Sequence, residues 1–224
     1  MSAAPKIEGK NGDVVLAAHN VAKSYGRIHA LKGVNFEIRR GQVATLFGEN
    51  GAGKSTLMKV LSGVIQPTSG TIILDGEPVT FNSSTEARDR GISIIHQELS
   101  LASHLTVAEN IYLGREPKRG PFIDGRKLAD DAARLVEGFG VGIDVKRRAG
   151  TLSPGEQQLV EIAKAISQNV SILAMDEPTS SLSARETEQL FRVIAGLRAS
   201  GTGIIYISHH LEEVFLLADR ISVL

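Results

Sequence analysis

Two patterns of apolar positions alternate along the chain. Three segments are almost continuously apolar, at Ile92–Ile95, Ser171–Met175 and Gly203–Ile207, as is typical of strands buried on both faces of a parallel sheet. Other apolar residues recur at helical spacing: Leu159, Ile162, Ala163 and Ile166 in one stretch, and Leu190, Val193, Ile194 and Leu197 in another. Strands that alternate with helices predict an α/β fold with a mainly parallel sheet.

The beginning and the middle of the chain follow different patterns. Short β-favouring segments at Val14–Ala17, Val34–Ile38 and Thr71–Leu74 predict an N-terminal antiparallel β part. After the Ile92–Ile95 segment, strong strands are missing and glycines interrupt the sequence, which predicts a helical subdomain inserted between core strands. We expect the core at residues 14–97 and 165–224, the insert at about 98–164, and a disordered polar lead-in at 1–13.

Composition excludes several classes of protein. The 224 residues carry 25 Lys and Arg against 25 Asp and Glu, so no overall positive field attracts nucleic acid. Cysteine is absent, which excludes disulfides and cysteine-ligated metals. No apolar run approaches the roughly 18 residues that a membrane span requires. The sequence stops at Ile221–Leu224 in what looks like a strand, so we expect a piece of a longer polypeptide.

The segment from Gly48 to Thr56 fits the phosphate-binding loop pattern G-x-x-x-x-G-K-[ST]. A β-favouring run, Val43–Phe47, precedes it, and an apolar stripe at helical spacing follows it up to Gly63. A strand, a glycine loop and a helix N-terminus together present backbone N–H donors to phosphate. A chance match has a probability of about 1% at average residue frequencies. The pattern therefore predicts a nucleoside triphosphate site.

Two carboxylates follow the Ser171–Met175 segment directly, in the sequence Asp176-Glu177-Pro178. At the end of a core strand beside a phosphate loop, Asp176 is placed to hold Mg²⁺, and Glu177 to polarise a water for attack on the γ-phosphate. The alternative is an acidic pair that ends a strand before a proline turn. The phosphate loop in the same chain favours the catalytic interpretation.

A helix start with its own capping chemistry lies at Leu152–Gln158. Ser153 is the expected N-cap, Pro154 takes the first helical position, and Glu156 completes a capping box. By itself, this pattern requires no function beyond helix capping.

The order of these motifs along the chain resembles that of a known family, although no single motif after the phosphate loop is decisive. The phosphate loop, the isolated Gln97, the Leu-Ser-x-Gly helix start, Asp176-Glu177-Pro178 and the late His209 follow one another as in the nucleotide-binding domain of ATP-binding-cassette (ABC) proteins. The chain resembles that domain from about Val14 to Leu224, which implies a RecA-like P-loop NTPase fold. Five segments are similar to the bacterial sugar-import branch, whose ATPases carry two tandem cassettes: 48–59, 95–101, 105–111, 176–182 and 206–215.

This resemblance implies roles for individual residues. In the family, an aromatic at the position of Tyr25 stacks on adenine, and a glutamine at the position of Gln97 contacts the metal or the attacking water. His209 would contact the γ-phosphate, and Ser55 would ligate Mg²⁺ together with Gln97 and Asp176. The residues expected to hold phosphate oxygens are Gly48, Asn50, Gly51, Ala52, Gly53, Lys54 and Thr56.

The resemblance also implies partners. Two family cassettes close head-to-tail over ATP, so Ser153 and Gly155 would face the nucleotide of a second cassette. The other expected partners are transmembrane permease subunits and, indirectly, a periplasmic sugar-binding protein, which places the cassette peripherally at the cytoplasmic face of the inner membrane. Pro154 and Glu156 depart from the usual Leu-Ser-Gly-Gly-Gln, and we expect weaker ATP bridging at that site.

Other functions leave parts of the sequence unexplained. A cassette that imports an amino acid, lipid or metal shares all of the motifs and remains an alternative. Chromosome-type cassettes need a long heptad insertion, and ribosome-acting ones carry a basic linker; neither feature is present in the sequence. A GTPase or kinase with the same loop does not explain Leu152–Gln158.

Overall fold

The computed structural model describes residues 13–49, 51–96, 99–140, 142–168 and 170–224. In chain order, the strands are β1 (Val14–Tyr25), β2 (Ile28–Arg39), β3 (Val43–Phe47), β4 (Ser69–Leu74), β5 (Glu77–Val79), β6 (Ile92–Ile95), β7 (Lys118–Arg119), β8 (Phe122–Ile123), β9 (Ile172–Asp176), β10 (Gly203–Ile207) and β11 (Arg220–Val223). The helices are α1 (Lys54–Leu61), α2 (Ser84–Asp89), α3 (Val107–Ile111), α4 (Gly125–Glu137), α5 (Pro154–Ile166), α6 (Ala184–Ala199) and α7 (Leu211–Leu217).

A five-stranded sheet forms the centre of the molecule, with strand order β11-β3-β10-β9-β6. Every neighbouring pair in this sheet is parallel. On β9, the side chains of Ile172 and Ala174 join one hydrophobic cluster, whereas those of Leu173 and Met175 join another on the opposite face. The sheet is therefore covered on both faces, as the continuous apolar segments predict.

The second sheet is antiparallel and has the order β2-β1-β4-β5. Its first strand extends to Tyr25, well beyond the predicted end at Ala17, because β1 pairs with β2 on one side and β4 on the other. This pairing satisfies the backbone even through polar positions. A register shift between Ala18 and Val21 absorbs Asn20, whose φ is 49°. The predicted antiparallel part is present, with longer strands.

Helices α3 and α4 pack against α5 and against each other. Their buried contacts are apolar, with Val107 and Ile111 on α3 and Leu128 and Ala132 on α4. The same region holds a small β7–β8 hairpin with exposed residues. The apolar pattern did not predict it, because two-residue strands leave no periodicity. Within the described ranges, no helix is long and apolar enough to cross a bilayer.

Candidate functional site

Three motif-bearing segments follow three adjacent strands of the parallel sheet. The phosphate loop follows β3, the segment with His209 follows β10, and Asp176 ends β9. Parallel strands present their carboxyl ends at one edge of the sheet, where ligands bind in open α/β folds. At this edge lies a cleft of about 380 Å³. It is lined by Ala30, Gly51, Gly53, Lys54, Ser55, Thr56, Asp176, Glu177 and His209.

The phosphate loop is shaped by a glycine and closed by a lysine. Gly53 has a φ of 105°, and a Cβ there would lie 2.6 Å from the carbonyl oxygen of Ala30, so only glycine fits. The Lys54 ammonium donates to the carbonyl oxygens of Gly48 at 2.7 Å and Glu49 at 3.0 Å. These bonds use two of its three N–H donors. The Lys54 side chain is 7% exposed and lies in the cleft wall.

Asp176 carries a carboxylate that its surroundings do not fully stabilise. Burial raises its pKa above the ordinary value, and the neighbouring Glu177 raises it further. His96, Lys54 and a hydrogen bond from the Ser55 hydroxyl oppose this rise in the pKa of Asp176. A hydroxyl beside a partly desolvated carboxylate is a hard-oxygen donor set that suits Mg²⁺, which takes one or two carboxylates and completes its shell with water and phosphate.

Glu177 and His209 form a pair in the same cleft. The His209 Nδ1 atom lies 3.0 Å from the Glu177 Oε1 atom. Glu177 has a φ of 47°, an uncommon conformation for a residue with a side chain. Its backbone N–H donates to the carbonyl oxygen of Ile207 at 3.0 Å, which ties the segment after β9 to the end of β10. The fold thus holds this carboxylate beside an imidazole.

The N-terminus of α5 has the predicted capping box and one additional partner. Ser153 caps the Glu156 N–H, and the Glu156 carboxylate accepts the Ser153 N–H at 2.8 Å. Arg147 forms an ion pair with Glu156 at 3.2 Å. The Ser153 hydroxyl donates to the Oε1 atom of Glu186 at 2.8 Å. The charge of Glu156 is thus engaged within the chain, and a second carboxylate, from α6, bonds to the same cap.

Glu186 is held firmly in this position. Hydrogen bonds from the N–H and hydroxyl of Ser183, and then from the Ser153 hydroxyl, hold the pKa of Glu186 below its ordinary value. The Gly155 N–H contributes in the same direction. A Cβ on Gly155 would lie 2.4 Å from the Glu186 Oε1 atom, so the absence of a side chain there lets the carboxylate approach.

The predicted site residues other than Tyr25 divide into four groups by position. Those that line the cleft are Gly51, Gly53, Lys54, Ser55, Thr56, Asp176, Glu177 and His209. Gly48 and Ala52 belong to the loop but not to the cleft wall; Gly48 accepts from Lys54, and the Ala52 N–H donates to Glu49. Ser153 and Gly155 lie at α5, apart from the cleft lining. Asn50 and Gln97 lie outside the described residues.

Tyr25 lies at the end of β1. The residue is 49% exposed, and the Lys23 ammonium lies 5.3 Å from its ring centroid. Tyr25 does not line the cleft. The exposed ring is open to a flat ligand, which is compatible with the predicted stacking and does not test it.

Three residues of functional interest were not predicted from the sequence. Ala30 enters the cleft through β2, and only the strand register could place it there. Glu186 forms a capping box with Ser183 at the start of α6, and its bond to Ser153 joins residues far apart in sequence. Glu213 accepts hydrogen bonds from three hydroxyl groups. In the sequence it is one residue of the 206–215 segment, and the sequence alone did not predict these contacts.

A sequence profile of ABC transporters matches residues 31–180. The chain belongs to the ABC transporter family. It is 50% identical over 210 residues to ribose/galactose/methyl galactoside import ATP-binding protein 3 of Burkholderia cenocepacia, covering 94% of this chain and 41% of that protein. A protein of the same name numbered 1, from Agrobacterium fabrum, is 51% identical over 211 residues, covering 94% and 42%. The chain thus spans less than half the length of these relatives.

Solved structures agree on the fold. A nucleotide-free ATP-binding cassette from an ABC transporter has a TM-score of 0.84 at 27% identity, covering 95% of this chain and 88% of that one. A dimeric bacterial ABC transporter cassette has a TM-score of 0.78 at 26% identity, with coverages of 93% and 94%. The predicted fold class, a P-loop NTPase of mixed α/β type, is confirmed.

Proposed function

We propose that this cassette binds and hydrolyses ATP to power sugar import through a membrane permease. The observation that carries the proposal is the identity of about 50%, across nearly the whole chain, to proteins named as ribose/galactose/methyl galactoside import ATP-binding proteins. The cleft supports the ATP part independently. It joins a phosphate loop, a lysine and two carboxylates at the edge of the sheet where nucleotides bind.

The predicted site residues have proposed roles in nucleotide binding. Lys54 would reach the β- and γ-phosphates, since its ammonium is already held over the loop. The backbone from Asn50 to Gly53, with Gly48 and Thr56, would hold phosphate oxygens. Tyr25 would stack on adenine with its exposed face. Mg²⁺ would be held by Ser55, Asp176 and Gln97, and when bound it would neutralise charge on the β- and γ-phosphates.

The Glu177–His209 pair supplies the proposed reaction chemistry. The Glu177 carboxylate would accept a hydrogen bond from the attacking water and orient it in line with the γ-phosphate. His209 would contact the γ-phosphate and fix the carboxylate through the observed 3.0 Å contact. Gln97 would complete the surroundings of the water. The distance between the two side chains is short enough for both to act on one phosphoryl group.

A second cassette is part of the proposal. No residue of α5 lines the cleft, so Ser153 and Gly155 would act on the nucleotide of a partner cassette in a head-to-tail pair. A helix N-terminus is suited to the γ-phosphate. The dimeric cassette among the similar structures supports this arrangement. ATP would close the pair, and hydrolysis would open it.

The permease contact is proposed for the helical insert, around Gln97 to Asn110. Asn110 is buried, and its amide bonds to the backbone of Ala102, Leu105 and Thr106, so it holds the segment that leads into α3. Among the described residues from 99 to 110, Ser100, Ser103 and His104 are exposed and are the candidates for this contact. The cassette would then lie peripherally at the cytoplasmic face of the cell membrane, and a periplasmic sugar-binding protein would deliver the solute.

Reconstituted transport tests the proposal. The full-length protein, its permease and its binding protein are placed in proteoliposomes, and uptake of labelled ribose, galactose and methyl galactoside is measured with ATP. We expect sugar uptake that Glu177→Gln abolishes and that Glu188→Gln, at an exposed position on α6, leaves unchanged. ATP-dependent uptake of an amino acid, and not of any of the sugars, would contradict sugar import while preserving the ATPase.

A further inference from the structure

One carboxylate on α7 collects three hydroxyl groups from two other parts of the chain. The Oε1 atom of Glu213 accepts from Thr179 at 2.7 Å. Its Oε2 atom accepts from both Tyr206 and Ser208 at 2.8 Å. Tyr206 is fully buried, and Ser208 and Thr179 are buried as well. Burial raises the pKa of the Tyr206 hydroxyl, and the bond to Glu213 raises it further, so this hydroxyl stays a donor.

Two of these hydroxyls belong to the segments that carry the catalytic pair. Thr179 lies two residues after Glu177, and Ser208 directly precedes His209. The Ser208 hydroxyl also accepts the His210 N–H at 3.0 Å, so its donor and acceptor directions are both fixed. Glu213 thereby joins the segment after β9 to the segment after β10, at the place where they present their reactive side chains.

We propose that Glu213 is a positioning residue for hydrolysis, which sets the distance between Glu177 and His209 by holding Thr179 and Ser208 on one carboxylate. This inference rests on the proposed ATPase function. A carboxylate suits the task because it offers about four acceptor directions and no donor. The amide of glutamine, at the same size, would present an N–H₂ group to one or more of the hydroxyls and break the arrangement.

The sharpest test compares Glu213→Gln with Glu212→Gln, a neighbouring exposed position on the same helix. ATP affinity and steady-state hydrolysis are measured on the full-length protein. We expect Glu213→Gln to lower kcat by up to about a hundredfold, the scale of a 1 Å misplacement in a catalytic site, with little change in ATP affinity. Glu212→Gln should match the unmodified protein. Equal kcat in both variants would overturn the proposal.

A second pair of variants separates positioning from simple stability. Ser208→Ala and Tyr206→Phe each remove one hydroxyl from the same Glu213 oxygen. Because only Ser208 lies in the segment with His209, we expect Ser208→Ala to lower kcat, whereas Tyr206→Phe should lower the melting temperature and largely preserve kcat. Equal losses of kcat would mean a structural role only. These variants also decide the question if Glu213→Gln fails to fold.

A spectroscopic readout is independent of turnover. The NMR signals of the His209 imidazole nitrogens can be assigned by their absence in His209→Gln. These signals should shift in Glu213→Gln and stay in place in Glu212→Gln. An unmoved His209 signal would contradict the positioning role. If the unmodified protein binds ATP but does not hydrolyse it, the proposed function fails, while the His209 signal still reports on Glu213.

Discussion

Helices α1 and α5 both begin at a motif expected to meet phosphate, but their first turns are completed in opposite ways. No side chain caps α1, and no acidic residue lies in its first turn. At α5, Ser153 and Glu156 form a capping box, and Glu186 bonds to the same serine. A helix N-terminus attracts anions, and in α5 two carboxylates of the chain already take that position.

The carboxylates near the two helices differ in how well their charged forms are stabilised. The pKa of Asp176, beside α1, is raised by burial and by Glu177. The pKa of Glu186, beside α5, is lowered by the hydrogen bonds that it accepts. The charged form of Asp176 would thus be stabilised by a bound cation, whereas that of Glu186 is already stabilised by hydrogen bonds within the chain. We propose that the α1 site accepts its ligand directly, whereas Ser153 would have to release Glu186 before it contacts phosphate.

Removing the Lys54 ammonium should have the largest effect on the α1 side. We expect Lys54→Ala to weaken Mg-ATP binding by roughly a hundredfold, since one or two charge-assisted hydrogen bonds of about 1.5–3 kcal/mol each are lost. Calorimetric titration measures the affinity. Lys59→Ala, at an exposed position on the same helix, should bind ATP normally. Similar affinities in the two variants would place the phosphates elsewhere.

Removing the Glu186 carboxylate should free the N-terminus of α5 for phosphate. In a Glu177→Gln background, we expect Glu186→Ala to lower the ATP concentration needed for pairing by roughly tenfold, because one charged hydrogen bond of about 1.5–3 kcal/mol no longer competes with phosphate. Light scattering follows the mass during an ATP titration. Glu188→Ala on the same helix is the control. Weaker pairing in Glu186→Ala would show that this carboxylate supports the closed state.

The raised pKa of Asp176 predicts a pH-dependent stability. A carboxyl whose folded pKa is raised contributes stability that is present below its unfolded pKa of about 4 and is lost as pH rises through the folded value. We therefore expect Asp176→Asn to raise the melting temperature of the nucleotide-free chain at pH 7. The gain should vanish near pH 4. A gain that is equal at both pH values would rule out the carboxylate as its cause.

The smallest expected effect is that of removing the stack between Tyr25 and adenine. We expect Tyr25→Ala to weaken ATP binding by about fivefold, as the loss of one aromatic stack of about 1 kcal/mol implies. Tyr25→Phe keeps the ring and should bind as the unmodified chain does. Calorimetry on both variants decides the point, and unchanged affinity in Tyr25→Ala would remove this residue from the site.

Features that depend on residues close together in the sequence were predicted. Contacts between residues far apart in the sequence were not. The loop around Lys54, the strand before Asp176 and the capping box at Ser153 are short patterns with fixed spacing, so each was readable from the chain alone. The bond from Ser153 to Glu186 spans 33 residues, and the bond from Thr179 to Glu213 spans 34. Such contacts depend on how helices pack, which periodicity does not encode.

The extent of the antiparallel sheet shows the same limit. β1 runs to Tyr25 because two neighbouring strands accept its backbone bonds, although its polar second half does not resemble a strand. Pairing of this kind is a tertiary effect that overrides local preference. The parallel core was predicted more accurately, because burial on both faces demands continuous apolar residues.

Complementation between two defective chains tests the central claim, that each ATP site joins the α1 loop of one cassette to the α5 end of another. Ser153→Asp keeps a good helix cap and should repel phosphate, while Lys54→Ala removes the ammonium that would bind phosphate at the loop. Each variant alone should hydrolyse little ATP. Mixed together, they form one intact site per mixed pair, and we predict that hydrolysis returns. A mixture no more active than its two components would contradict the account.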